Sequence, residues 1–392
     1  LTAEPEPNLE TQAALPPNGP ENLARRLARM HVLTREGEAE NVVHTLEGLE
    51  ALLLRAQRHY SSLADEKLEI PPGAEWLLDN FYLVQQVIRQ VRQDLPDGYY
   101  RQLPILAEAG LPRIYVLASE LVSATAIHAD PDAVRRYVRA YEEERPLTIG
   151  ELWALPAMLR LAVVRRLGQA VQGLLEPGGI RAGQREGGER ELPGAEMPVI
   201  GACILNLRAI DVEDWKTVFE DVSRVEEVLR QDPAGVYPRM DFETRDRYRK
   251  VIEHLAKASG IPEEIVAQRA IDLAVGDRQR RTEGLRPITP ARPRSHLRPV
   301  SWPLGSRRPA DSRRPQTAQA ETTTLFIERT GHVGFYLLDR GIKALEGALH
   351  YLPPFTTRLR RWLGARALWG YLGSILGLTL LALTGLAILT HG

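Results

Sequence analysis

The sequence predicts a mostly all-α protein of two helical blocks, with a small strand element near residues 323–338, followed by one transmembrane helix. Three observations carry this expectation. Apolar residues recur at three- and four-residue intervals through most of the 392-residue chain, whereas strand alternation is nearly absent before about residue 325. Helix start signals precede the apolar stripes. Near the end, Ala367 to Thr390 runs twenty-four residues without a charge. A helix of that length, rising about 1.5 Å per residue, outspans a hydrocarbon layer of about 30 Å.

Taken in order, residues 1–40 begin on Leu1 and lack the basic start and apolar run of a signal peptide, so a flexible N-terminal segment is expected. The first helical block, 41–175, opens with the stripe Leu46, Leu49, Leu53 and Ala56. A second stripe, Leu77, Phe81, Val84, Ile88 and Val91, follows the start signal Pro71-Pro72. Asp130-Pro131 places an N-cap before a proline at the first helical position. Thr148 and Glu151 have capping-box spacing and open a long apolar helix through Leu175, which Pro156 should kink.

Residues 176–196 are glycine-rich and polar and predict a linker. The second block, 197–276, contains a helix stop at Gly260 and a new start at Pro262. Between Asp277 and Glu321, eleven arginines and seven prolines face four acids, so 277–322 is expected to be an extended linker. A juxtamembrane segment, 323–366, leads to the span at 367–390. Arg358, Arg360, Arg361 and Arg366 precede that span, which predicts that everything before residue 367 is cytoplasmic. Gly373 and Gly377 form a GxxxG pair within it. With two residues after the span, the chain reads either as tail-anchored or as a stretch of something longer.

The blocks echo each other. Arg92-Gln93-Asp94, Tyr99 and Arg101 recur as Arg230-Gln231-Asp232, Tyr237 and Arg239 at the same spacing, each after an apolar helix. An ancient duplication and a repeated turn solution both explain this.

A formal charge of −1 gives no chain-wide field for nucleic acid, and one cysteine, Cys203, excludes an internal disulfide framework. Cys203 sits in an apolar run and reads as a small buried residue. His128, Asp130 and Asp132 look ligand-like, but helix capping accounts for the aspartates. No P-loop, HExxH, CxxC or nucleophile elbow occurs. The stretch "YPRMDFETRDRYRK", 237–250, reads as a capped helix beginning at Asp241. One face carries the ordered pairs Glu243/Arg247 and Asp246/Lys250, and the other carries Tyr248, Val251, Ile252 and Leu255.

Five blocks, "EWLLDNFYLV" (75–84), "DLPDGYYRQLP" (94–104), "RPLTIGELWALPAMLRLA" (145–162), "DPAGVYPRMDFETRDRYRKVIE" (232–253) and "HVGFYLLDRG" (332–341), resemble in sequence and order the N-terminal region of bacterial cyclic β-1,2-glucan synthases. That resemblance implies an inner-membrane enzyme that polymerises UDP-glucose and cyclises the product, with a glycosyltransferase domain beyond residue 392. It implies no catalytic residue, cofactor or metal ligand in this chain; UDP-glucose and Mg belong to the missing transferase, which is also the expected partner. Arg360-Arg361-Trp362 lacks the upstream glutamine of a QxxRW motif.

Tyr99, Tyr100, Arg101, Tyr237 and Arg239 are candidate contacts to glucan or to the catalytic domain. Arg307, Arg308, Arg313 and Arg314, with the four arginines before the span, are candidate lipid contacts. A second reading from another class is a tail-anchored helical adaptor that binds a protein partner and anionic lipid.

Overall fold

A computed structural model describes residues 19–34, 40–124, 131–175, 196–283 and 331–354, together with Thr379. These are mostly helical, and the chain divides into two compact units between Arg230 and Gln231.

The first unit is organised around α8 (Ile149–Leu175). A helix that is apolar on every side belongs in a core, and Leu152, Leu155, Met158, Leu159, Val163, Leu167 and Val171 are buried all round this one. Around it pack α2 (Thr45–Asp65), α4 (Phe81–Asp94), α6 (Arg113–Ala124) and α9 (Glu196–Val212), while α3 (Pro72–Asp79) rests on α9. Pro156 lies inside α8 without ending it. The expected capping box is formed: Thr148 N donates to Glu151 Oε2 at 2.9 Å, and Glu151 N donates to Thr148 Oγ1 at 3.2 Å.

Part of the N-terminal segment expected to be flexible is a helix, α1 (Pro20–Met30). Its buried face of Ala24, Leu27 and Ala28 packs on α7 (Pro131–Glu144), and Arg25–Glu143 and Arg136–Glu21 ion pairs border the contact. Within the short block α5 (Asp97–Tyr100) and its surroundings, a two-residue antiparallel pair joins β1 (Leu33–Thr34) to β2 (Ile105–Leu106), with Leu33 opposite Leu106. The second block was expected to start near residue 197. Instead α9, α10 (Trp215–Val222) and α11 (Arg224–Leu229) complete the first unit, because Ile200, Cys203, Ile204 and Leu207 are buried where α9 meets α3 and α8. Burial pushes the Cys203 thiol up to about 11, the inert residue its apolar setting predicts.

The second unit contains a short turn at Tyr237–Arg239, α12 (Phe242–Ser259), α13 (Glu263–Thr282), α14 (Val333–Leu338) and α15 (Ile342–Ala348). Asp241 caps α12 through Thr244 N at 2.7 Å, and Gly260, at φ 72°, closes it in the left-handed region that favours glycine. Lys250 pairs with Asp246 at 2.7 Å on the wet face.

Two expectations change here. Residues 333–338 are helical, not a strand. The run Val333 to Leu337 is buried throughout, so it has no alternation to mark a sheet face, and packing on α12 and α13 selects the helix. Helix α13 also runs past residue 276, because Asp277 is buried and accepts a hydrogen bond from the Tyr336 hydroxyl at 2.5 Å.

Among the described residues no helix is long and apolar enough to cross a membrane. The span expected at 367–390 lies outside them apart from Thr379, as do Arg307, Arg308, Arg313, Arg314, Arg358, Arg360, Arg361 and Arg366.

Candidate functional site

Among the described residues of the second unit, a dense polar constellation joins two of the five sequence blocks. Asp232 lies just before the turn that begins "PAGVY", and His332 immediately precedes α14. His332 Nδ1 is 2.8 Å from Asp232 Oδ2, and its Nε2 is 3.1 Å from the Tyr248 hydroxyl on α12. Asp232 also accepts backbone N–H groups from Val236 at 3.0 Å, Tyr237 at 3.2 Å and Val333 at 3.0 Å. Burial alone would raise its pKa, but the His332 hydrogen bond and the backbone donors hold it at about 2.

An Asp–His–Tyr row has the connectivity of a proton relay. Its outer member is Tyr248, whose phenol burial and the nearby Asp232 charge push further above its ordinary range, so it stays protonated in its contact with His332. The row is therefore a clasp that fastens the 232–237 turn to α12 and α14. Gly334 leaves room for it, since a Cβ there would collide with the Tyr248 hydroxyl and the His332 ring. Gly334→Ala should break the Tyr248–His332 bond and cost about 1–3 kcal/mol, read as a lower midpoint in denaturant titration. An unchanged midpoint would show that the clasp has slack.

The first unit has a matching clasp. Arg113 on α6 is buried and donates through Nε to Glu151 Oε1 at 2.7 Å, through Nη2 to Glu151 Oε2, and to the Pro146 carbonyl at 3.1 Å. Nearby, His31 Nδ1 is 2.9 Å from the Tyr141 hydroxyl, and burial, with Arg113 and Arg145, lowers the pKa of His31. Glu142 is buried beside a cleft of about 470 Å³ that also holds Arg139, Glu220, Arg224 and Arg230. Its carboxyl accepts the Leu147 N–H at 3.0 Å, and burial raises its pKa well above the usual range.

The sequence candidates are dispersed by the fold. Tyr100 is buried; its hydroxyl donates to the Glu40 carbonyl at 2.7 Å and accepts from Val42 N at 3.2 Å. Tyr237 is buried with its ring against Tyr248, so neither tyrosine presents a face to a sugar. Tyr99 donates to the Gly150 carbonyl at 2.5 Å, while Arg101 and Arg239 are exposed. Asp132 pairs with Arg135 at 2.6 Å; His128 and Asp130 lie outside the described residues. Among the described residues no group of three or more His, Cys, Asp or Glu could hold a metal ion.

The echoed units use the same residues differently. Asp94 ends an unbroken helix and lies 3.8 Å from Arg160, whereas Asp232 is the hub of a clasp, and the helix before it is interrupted at Ser223, which caps α11 through Glu226 N. Sequence reading missed Arg113, Arg249, His332 and Glu142. Arg249, assigned to neither face of the 237–250 stretch from sequence, is buried over the Phe242 ring, with its guanidinium carbon 4.5 Å from the ring centre. Its helical spacing from Ile252 was the available signal.

No family model matches the chain. The cyclic beta-(1,2)-glucan synthase NdvB of Rhizobium meliloti (strain 1021) is 29% identical to it over 290 residues, a match that covers 56% of this chain and 10% of that synthase. The chain is a relative of a cyclic β-(1,2)-glucan synthase. It matches about a tenth of the length of the curated synthase. The clasp residues Asp232, Tyr248 and His332, together with Glu151, all fall within the blocks that carry the resemblance to the synthases.

Proposed function

We propose that this chain is the N-terminal region of a cyclic β-(1,2)-glucan synthase and serves as a non-catalytic scaffold for its transferase. In this reading the helical units are cytoplasmic, 367–390 anchors them in the inner membrane, and UDP-glucose and Mg are handled by the transferase. One observation supports it above others: the blocks that resemble the synthases are spent on interior clasps. Asp232, Tyr248, His332, Glu151, Tyr100 and Tyr237 are bonded to, or packed against, their own fold. Side chains so engaged fix the shape of the fold, which is what a scaffold requires.

The test is complementation. A synthase stripped of the region that this chain matches should regain UDP-glucose-dependent glucan synthesis when the chain is co-expressed, and the two should co-purify from membranes. Failure of both would overturn the scaffold role. Turnover of UDP-glucose by the purified chain alone, in the presence of Mg, would overturn its non-catalytic character.

A further inference from the structure

The first unit carries a second cleft, of about 500 Å³, between α6 and α8 with Val199 of α9 at its edge. Its polar lining comes from Tyr115, Ser119, Ser123, Arg165, Arg166 and Gln169, and among the described residues no acidic side chain lines it. Neither guanidinium forms an ion pair among the described residues. Arg165 lies over the Tyr115 ring, 5.7 Å from its centre, and Arg166 donates to the Val122 carbonyl at 3.0 Å. Each therefore keeps uncompensated charge and several of its five N–H donors for a ligand. The Ser119 hydroxyl is buried in the wall and has no hydrogen-bond partner among the described residues.

We propose that this cleft binds a phosphorylated sugar. Two adjacent guanidinium groups suit a phosphoryl group, because their planar donors match its oxygens and no carboxylate among the described residues competes for them. The Gln169 amide can both donate and accept, and the Ser123 hydroxyl, which donates to the Ser119 carbonyl at 2.8 Å, can still accept, as recognition of sugar hydroxyls requires. The cleft volume falls in the range of small-molecule sites, roughly 300–1,000 Å³. Nothing in this assignment depends on the scaffold role; it adds a ligand site to the unit.

Calorimetric titration of the full chain in detergent, with glucose 1-phosphate, inorganic phosphate and glucose in separate runs, tests it. Glucose 1-phosphate should bind, more tightly than inorganic phosphate, and glucose should bind more weakly than either. Replacing Arg165 and Arg166 by alanine should weaken binding at least about tenfold. Because those arginines also touch Tyr115 and Val122, Gln169→Glu is the second variant. Residue 169 is exposed on α8, and the new carboxylate should repel the phosphoryl group, again by about tenfold, without unfolding the chain. No heat with glucose 1-phosphate at millimolar concentration would overturn the proposal, as would binding that both variants leave unchanged. Equal affinity for inorganic phosphate would remove the sugar from it, and equal affinity for glucose would remove the phosphoryl group.

Discussion

Asp232→Ala should lower the stability of the second unit by about 3–5 kcal/mol. The carboxylate is buried and accepts three backbone N–H groups and the His332 ring. Removing it leaves three donors without their acceptor and His332 without the group that orients it. Hydrogen exchange gives the direct reading, since the amides of Val236, Tyr237 and Val333 should lose protection together although 333 is remote in sequence. A loss below about 1 kcal/mol would mean that water replaces the carboxylate at no cost.

The same residue predicts an acid response. Its folded pKa of about 2 lies below the ordinary 3.8, so its contribution is fully present above about pH 4 and disappears as pH falls through about 2. The unit should lose about 2 kcal/mol across that window. Asp232→Asn has no carboxylate to protonate there. Its stability should be lower at neutral pH and should fall less between pH 4 and pH 2. An identical acid profile in the variant would assign the effect to other groups.

Arg113→Met should cost about 3–5 kcal/mol in the first unit, because it leaves Glu151 charged in a site from which water is excluded. A pair of this kind need not stabilise relative to an apolar replacement; breaking half of it is what costs. The companion variant separates these statements. Arg113→Met with Glu151→Gln removes both charges, and glutamine can still complete the capping box with Thr148. At least about half of the lost stability should return in urea titrations at neutral pH. Without recovery, the Arg113 bond to the Pro146 carbonyl would be the stronger contribution.

These two clasps mark how far the sequence could be followed. Helix starts at Thr148 and Asp241 and the stop at Gly260 were legible because a cap is a contact between residues two to four positions apart. Asp232 and His332 are 100 positions apart, and Arg113 and Glu151 are 38 apart. Nothing in their local patterns names the partner. For the same reason the echo between the blocks was visible while its meaning was not: Asp94 and Asp232 share neighbours in sequence but meet different neighbours in space. Candidate Tyr237 failed as an exposed contact because a tyrosine after a Pro/Gly turn looks the same whether its ring faces water or Tyr248.

By itself, the sequence determined the helical class, the helix ends at Thr148, Asp241 and Gly260, the uncharged stretch at 367–390 and the kinship with a glucan synthase, since each depends on composition or on order along the chain. Tertiary structure decided that 333–338 is a helix, that α9 to α11 join the first unit, and which charged residues are interior. Those outcomes follow from burial against distant segments, which outweighs local preference wherever a short apolar run fits either a helix or a strand.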